Sequence, residues 1–119
     1  KGYVSYPWMG VEMQTLLPRY AQALGLSVQH GVLLVRVFTN GPAAKANLRG
    51  GPRQVRIGNS IVIVGGDIIT ALAGNAVTSI EELSREMRHH TPGATVSLTI
   101  IRGNTQRDVS ITLGERPLS

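Results

Sequence analysis

The sequence contains no cysteine, few aromatic residues and no long apolar run. Its 119 residues include one Trp, three Tyr and one Phe. The absence of cysteine excludes a disulfide scaffold and a Cys-ligated zinc site, although it does not identify a cellular compartment. No stretch of about 18 apolar residues occurs, so we expect no direct membrane span. These absences exclude disulfide-rich and membrane-spanning proteins from the candidate classes.

Apolar residues dominate what is present, at 42% of the chain against 16% charged. That balance is typical of a folded chain and not of a disordered one. A length of 119 residues corresponds to one ordinary domain. The 14 glycines indicate many tight turns around an aliphatic core. Because the chain begins at Lys1 without a signal-peptide pattern, we interpret it as a segment of a longer protein.

The net charge of +5 raises the question of nucleic-acid binding. The basic residues are scattered without a run of adjacent ones, and few aromatic side chains are available to stack on bases. Residues 49–56 form a local exception, with three arginines and no acid. We therefore predict no nucleic-acid partner and interpret most of the charge as a solvated surface.

Hydrophobic periodicity predicts short strands and short helices in a non-repeating order. The predicted strands are residues 9–13, 31–38, 67–72, 96–100 and 109–113, and the predicted helices are residues 17–24, 42–46 and 79–90. The glycine-bounded segment 50–65 is predicted to form either a hairpin or a structured loop. Together these elements predict a mainly β, α+β fold. We expect a partly open, five- to six-stranded antiparallel β-barrel or sandwich, capped by two to three short helices.

The last predicted helix has a recognisable start. Ser79 and Glu82 fit a capping box, in which the hydroxyl caps the helix and the carboxylate reaches back from three residues on. Thr78 and Glu81 offer the same pattern one residue earlier. The capping box accounts for the paired carboxylates, which therefore do not indicate general acid–base catalysis.

The remaining polar residues indicate no catalytic or metal site. Asp67 follows two glycines and is expected to make a turn hydrogen bond. His89 and His90 are adjacent, so on a helix they project about 100° apart and do not suit a shared metal ion. His30 precedes a predicted strand and is interpreted as a turn residue. We predict no catalytic residue, no metal and no cofactor.

Three segments carry a family resemblance. They are residues 6–11 (YPWMGV), residues 40–48 (NGPAAKANL) and residues 66–74 (GDIITALAG). In this order, and over nearly the whole chain, they resemble the PDZ domains of HtrA/Deg-type serine proteases, a trypsin-like periplasmic family. Two departures stand out. Residues 50–65 are an insertion, and Asn47 replaces the usual glycine, which fits because Asn tolerates left-handed backbone.

The resemblance implies a PDZ-like domain at residues 9–114, preceded by a linker at residues 1–8 and followed by a tail at residues 115–119. It implies a module that captures C-terminal or extended peptide segments by β-strand addition. The module is not itself an enzyme; it delivers substrate to a linked serine endopeptidase domain or regulates it. A periplasmic or cell-envelope location, a monomeric isolated domain and an oligomeric parent are also implied.

The implied groove needs an edge strand, a loop of backbone N–H groups for the terminal carboxylate and a pocket for the last side chain. Residues 9–13 supply the strand, residues 8–11 the loop and the last helix the opposite wall, with Leu83 nearer the core. The expected peptide-binding residues are Trp8, Met9, Gly10, Val11, Glu12, Met13, Ile80, Leu83, Ser84 and Met87. The methionines predict a loose preference for an apolar C-terminal residue, because Met adapts its shape.

Two alternatives stay open at this point. Apolar residues at helical spacing are also typical of an ordinary core, and Trp8 could simply pin the linker. The chain could also be a structural or assembly module that docks a partner domain through its edge strand or through residues 49–56. PDZ-like domains of secretion systems and membrane-embedded proteases provide the precedent by resemblance.

Overall fold

The computed structural model describes residues 6–116, which form ten short strands and three short helices. The strands are β1 (Pro7–Trp8), β2 (Val11–Leu16), β3 (Gly31–Val37), β4 (Arg53–Ile57), β5 (Ser60–Val64), β6 (Ile68–Leu72), β7 (Asn75–Ala76), β8 (Thr95–Arg102), β9 (Thr105–Thr112) and β10 (Gly114–Glu115). The helices are α1 (Pro18–Leu24), α2 (Pro42–Lys45) and α3 (Ile80–Met87). Most of the linker predicted at residues 1–8 and of the tail predicted at residues 115–119 lies outside the described residues.

One central sheet organises the strands. Its order is β2-β3-β6-β8-β9, with β7 paired to β6, and its pairings are antiparallel. Two shorter antiparallel pairs, β1 with β10 and β4 with β5, stand apart from it. The central sheet is open, with β2 at one edge and β9 at the other, and no closed barrel forms within residues 6–116. The mainly β fold class with short helices is thus confirmed.

Two element boundaries differ from the sequence-based expectation. The strand predicted at residues 9–13 begins at Val11 and continues to Leu16. Gly10 has a φ of +76°, which an extended strand does not adopt, so Met9 and Gly10 form a loop between β1 and β2 instead. The helix predicted at residues 79–90 ends at Met87, and the N–H of His90 closes a turn on the Met87 carbonyl.

Apolar clusters pack on both faces of the central sheet. Val32 and Leu34 of β3 join one apolar cluster, while Leu33 between them joins a second, because successive side chains of a strand point to opposite faces. The isoleucines of β6 and β8 alternate in the same way, so that the first cluster contains Ile69 and Ile100 and the second contains Ile68 and Ile101. The first cluster packs against α2 and α3, and the second packs against α1 and the β4–β5 pair.

Residues 50–65 form a hairpin, which is the first of the two predicted alternatives. Its strands pair without a break from Arg53 opposite Val64 to Ile57 opposite Ser60. The two-residue turn contains Gly58, whose φ of +60° suits a hairpin connection. Val62 of β5 is fully buried in the second cluster, so the hairpin forms part of the hydrophobic core.

Side chains attach this hairpin to the rest of the domain. The Gln14 amide donates to the Ile61 carbonyl at 3.0 Å and accepts from the Ile63 N–H at 3.1 Å. It therefore replaces one residue of a neighbouring strand along the outer side of β5. The Tyr20 hydroxyl of α1 hydrogen-bonds to Ser60, and this bond lowers the pKa of Tyr20.

The ends of the hairpin cross β3 at very short range. A Cβ atom at Gly66 would lie 2.6 Å from the Gly51 nitrogen and 2.6 Å from the Leu34 carbonyl oxygen. Both distances are shorter than real Cβ contacts, so only glycine fits at this crossing. The glycines that bound the insertion therefore bring its two ends together against the central sheet.

Asp67 is the one buried charged residue in the described part of the chain. Its carboxylate accepts from the Arg102 Nε at 2.8 Å, from the Arg102 Nη2 at 2.7 Å and from the Arg49 N–H at 2.9 Å. The Arg102 Nη2 also donates to the Asn47 carbonyl at 3.0 Å. The hydrogen bonds from Arg102 to the Asp67 carboxylate raise the pKa of the Arg102 guanidinium. The predicted turn hydrogen bond of Asp67 is therefore part of a buried ion pair that joins β6, β8 and the segment after α2.

The start of α3 confirms the Ser79 cap and adds a second bond. The Ser79 hydroxyl accepts from the Glu82 N–H at 3.1 Å. The Glu82 carboxylate reaches one residue further back than a capping box requires, to the Thr78 hydroxyl at 2.6 Å and the Thr78 N–H at 2.7 Å. These bonds hold the pKa of Glu82 below its ordinary value.

Replacing Arg102 with alanine is expected to destabilise the fold. The change leaves the Asp67 carboxylate buried without its charged partner, which costs about 3 kcal/mol, the lower end for buried pairs because Arg102 is 20% exposed. Urea unfolding followed by circular dichroism measures the loss. The control Arg107→Ala, at an exposed site on β9, changes stability by less than about 0.5 kcal/mol. Equal midpoints for the two variants contradict the assigned role.

Replacing Thr78 with alanine is expected to raise the pKa of Glu82 toward its ordinary value. The hydroxyl bond, which lowers this pKa most, is lost, while the bond from the N–H stays. Because the folded-state pKa is depressed, the stabilisation is present above the ordinary carboxyl pKa and is lost as the pH falls through the folded value. An NMR titration of the Glu82 carboxyl measures the pKa, and urea unfolding at several pH values measures the stabilisation. The control Thr95→Ala, on β8, leaves this titration unchanged, and an unchanged titration in the Thr78 variant contradicts the assignment.

Candidate functional site

A cleft of about 580 Å³ opens between β2 and the C-terminal half of α3. This volume is within the range of ligand-binding clefts in proteins. Seven of the ten residues predicted to bind peptide line it, namely Trp8, Met9, Gly10, Val11, Met13, Ser84 and Met87. The structure thus brings together the loop, the strand and the helix that the sequence places far apart.

The other three predicted residues lie beside the cleft and not on its walls. Leu83 is fully buried in the first apolar cluster, and Glu12 is exposed on β2 opposite Arg36. Ile80 is half-buried, and its N–H donates to the Thr15 hydroxyl at 3.1 Å. That bond joins the start of α3 to β2, so it sets the separation of the two cleft walls at this end. Contact of these three side chains with a peptide stays a prediction.

The loop before β2 presents unused backbone donors. The Met9 carbonyl accepts from the Ala43 N–H at 2.9 Å, and the Gly10 carbonyl accepts from the Phe38 N–H at 2.9 Å. Within residues 6–116, neither the Met9 N–H nor the Gly10 N–H donates to a protein group. Both residues are buried, and a buried backbone N–H ordinarily has an acceptor. An anionic oxygen bound in the cleft would provide one.

Packing around Gly10 holds this loop in place. A Cβ atom at Gly10 would lie 3.3 Å from the Gly41 Cα and 3.3 Å from the Trp8 ring. The Trp8 ring stacks on the Phe38 ring with 6.4 Å between their centroids. The Arg36 guanidinium also contacts Phe38, at 4.9 Å from the centroid of its ring. Trp8 therefore both lines the cleft and pins the chain that leads into it.

The strand beside the loop is available for pairing. In the central sheet β2 has a single neighbour, β3, and its other side faces α3 across the cleft. An edge strand leaves part of its backbone N–H and C=O groups unpaired, and such an edge can accept a further strand. Met13 and Met87 supply flexible apolar surface on the two walls.

Four further residues line the cleft that were not among the predicted contacts. Tyr6 and Pro7 precede the loop, and Arg88 and Arg116 are the only charged residues that line the cleft within the described chain. The N–H of Arg116 donates to the Tyr6 carbonyl at 3.0 Å, next to the β1–β10 pair. Arg88 and Arg116 come from distant segments, so no local sequence pattern indicates their common position. Their charges favour an anionic ligand.

In residues 6–116 no three His, Cys, Asp or Glu side chains are arranged to hold a metal ion. Among the helices of that range, none is long and apolar enough to cross a membrane. The cleft is therefore the strongest candidate site on the described chain.

Curated proteins similar to this chain include bacterial proteases. A probable periplasmic serine endoprotease, DegP-like, from Brucella suis is 30% identical over 117 residues, which cover 98% of this chain and 20% of the relative. A protein of the same description from Halomonas elongata is 28% identical over 116 residues, covering 98% of this chain and 21% of the relative. The chain thus spans about a fifth of the length of these relatives.

Solved structures similar to this one include peptide complexes. The HtrA-type protease AlgW, in a variant form with a decapeptide, matches with a TM-score of 0.73 and 25% identity over 98% of this chain and 31% of that chain. The HtrA3 PDZ domain bound to the phage-derived ligand FGRWV matches with a TM-score of 0.67 and 21% identity over 95% of this chain and 89% of that domain, a likeness of fold alone. The sequence profile of the PDZ domain family matches residues 7–113. The chain therefore belongs to the PDZ domain family, as its motifs predicted.

Proposed function

We propose that the chain is a peptide-binding module that captures the C-terminal segment of a polypeptide in the cleft between β2 and α3. The observation that carries the proposal is the loop at Met9 and Gly10. Its carbonyls are bound by the protein, whereas its N–H groups have no acceptor among the described residues. A terminal carboxylate placed there receives two backbone hydrogen bonds at once.

The position of the carboxylate also determines where the rest of the peptide lies. Its backbone runs antiparallel to β2 and adds a strand to the free edge of the central sheet. Its last side chain enters the space between Met13 and Met87, next to Ser84. Two methionines accommodate side chains of different shape, so the cleft accepts several apolar C-terminal residues. Arg88 and Arg116 attract the negatively charged chain end.

We further propose that the chain is part of an HtrA/Deg-like serine endopeptidase in the periplasm or cell envelope. The support is the description of its relatives as periplasmic serine endoproteases. The presence of peptides in the AlgW and HtrA3 structures supports peptide capture. In this role the module delivers substrate to the linked protease domain or regulates it. We infer that the isolated domain is a monomer and that the parent is an oligomer.

A free terminal carboxylate is expected to be required for tight binding. A decapeptide ending in Val with a free carboxylate should bind at least tenfold more tightly than the same peptide with a C-terminal amide. The loss of charge-assisted bonds to the Met9 and Gly10 N–H groups costs roughly 1.5–3 kcal/mol. Isothermal titration calorimetry measures both dissociation constants. Equal affinities for the acid and the amide contradict the carboxylate loop.

Filling the cleft is expected to block the peptide. Ser84→Trp places a large ring between the two walls, and we expect the free-acid decapeptide to bind at least tenfold more weakly, by about 1.4 kcal/mol or more. The matched control is Arg85→Trp, an exposed position on the same helix that does not line the cleft. The control should keep the wild-type affinity, and circular dichroism verifies that both variants fold. Unchanged binding to the Ser84 variant places the peptide elsewhere.

A further inference from the structure

A second cavity lies on the other face of the central sheet, beneath the β4–β5 hairpin. Its volume is about 310 Å³. Aliphatic side chains from the sheet, the hairpin and the end of α1 line it, including Leu24, Leu33, Val55, Val64, Ile68 and Ile101. Arg53 is the only charged residue in this lining. The peptide captured between β2 and α3 does not use this cavity, which belongs to the second apolar cluster.

The outer edge of β4, next to this cavity, carries unpaired backbone groups. The Ile61 carbonyl and the Ile63 N–H point away from β4, because both bond to Gln14. In an antiparallel pair, the backbone N–H and C=O groups of directly opposite residues either bond to each other or both point away from the partner strand. Arg56 is opposite Ile61 and Gln54 is opposite Ile63. Their N–H and C=O groups therefore point outward along the free edge of β4.

Nothing in the described chain covers this edge. The central sheet does not include β4, whose single partner strand is β5. Arg53, Gln54 and Arg56 are all exposed. An edge with free donors and acceptors beside an apolar cavity has the two components that strand addition requires, which are main-chain hydrogen bonds and pockets for alternate side chains.

Charge selects what this edge can accept. Between residues 13 and 66 the sequence contains no Asp or Glu, but it contains six basic residues, Arg19, Arg36, Lys45, Arg49, Arg53 and Arg56. The carboxylate that follows, Asp67, is paired with Arg102. A second copy of β4 would bring its own Arg53 and Arg56 to an edge that offers no acidic side chain to pair with them. A strand with acidic side chains on the face opposite the cavity would instead complement Arg56, which lies on that face of β4.

We propose that β4 is a second strand-addition site, which takes an extended protein segment that alternates aliphatic and acidic side chains. Side chains of an added strand alternate between the two faces of the hairpin. Those on the face of Val55 enter the aliphatic cavity, and those on the other face lie beside Arg56. The segment needs no free C-terminus, because hydrogen bonding is to the Gln54 and Arg56 backbone along its length.

The test uses a peptide blocked at both ends, Ac-Asp-Val-Glu-Leu-Asp-Val-Glu-NH2, which cannot offer a terminal carboxylate to the first cleft. Its dissociation constant for the 119-residue chain is measured by calorimetry, and its position by NMR shift mapping. Gln54→Pro removes an outward N–H without removing a β4–β5 bond, and proline is tolerated at such edge positions. We expect this variant to bind at least tenfold more weakly. The matched control Gln54→Ala keeps the N–H and should bind as the wild type does.

A charge exchange tests the same site without proline. Arg56→Glu should weaken binding of the acidic peptide and strengthen binding of a version with Lys at each acidic position. The Ser84→Trp variant should bind the blocked peptide normally, so failure of this site is distinguishable from failure of the peptide cleft. Equal binding to Gln54→Pro and Gln54→Ala would falsify the proposal, as would NMR shifts confined to β2 and α3. Self-association abolished by Gln54→Pro would make a second copy the occupant and overturn it too.

Discussion

A buried carboxylate connects the parts of this domain on which its cleft depends. Asp67 bonds through its side chain to Arg102 and to the Arg49 N–H, and its own N–H donates to the Arg49 carbonyl. The segment joined in this way leads directly back to α2. There the Ala43 N–H holds the Met9 carbonyl, which orients the loop beside β2. A carboxylate that does not line the cleft thus contributes to the position of the cleft's loop.

The central sheet explains how one small domain has a cleft on one face and a hairpin packed on the other. Its strands bury side chains on both faces, so runs such as Val32, Leu33 and Leu34 are continuously apolar instead of alternating. One face, covered by α2 and α3, leaves an opening at the β2 edge that forms the cleft. The other face is covered by α1 and the hairpin. Without the hairpin, Leu33 and Ile68 would lose part of their cover.

Local patterns in the sequence were sufficient for much of this structure. Periodicity located most of the strands and helices and Ser79 marked the start of α3, while the loop at Gly10 was implied by the family resemblance. These signals are local because each depends on neighbouring residues along one strand, helix or turn. Periodicity alone does not separate Leu83 from Ser84; the family resemblance predicted Leu83 nearer the core, where it lies, and Ser84 lines the cleft. One helical step of 100° decides between them, and only the packing of α3 sets that rotation.

Long-range polar contacts could not be predicted in the same way. Asp67 and Arg102 are 35 residues apart, and Gln14 contacts Ile61 across 47 residues. Arg88 and Arg116 meet at the cleft only because β1 pairs with β10 and brings the end of the chain alongside Tyr6. Each of these contacts depends on the completed sheet, and single Gln and Arg residues carry no local sequence pattern that distinguishes such a role from solvation.

The base of the inserted hairpin has a consequence for how the domain can vary. Gly51 and Gly66 cross in contact, and the Asp67 N–H bonds to the Arg49 carbonyl at 2.9 Å, so the two ends of the insertion meet at a closed base. A segment whose ends already touch can change in length at its turn, beyond the buried Val62, without moving the flanking strands. This base is therefore a graft point, at which one scaffold can carry hairpins with different exposed edges as long as each keeps an apolar residue at the position of Val62.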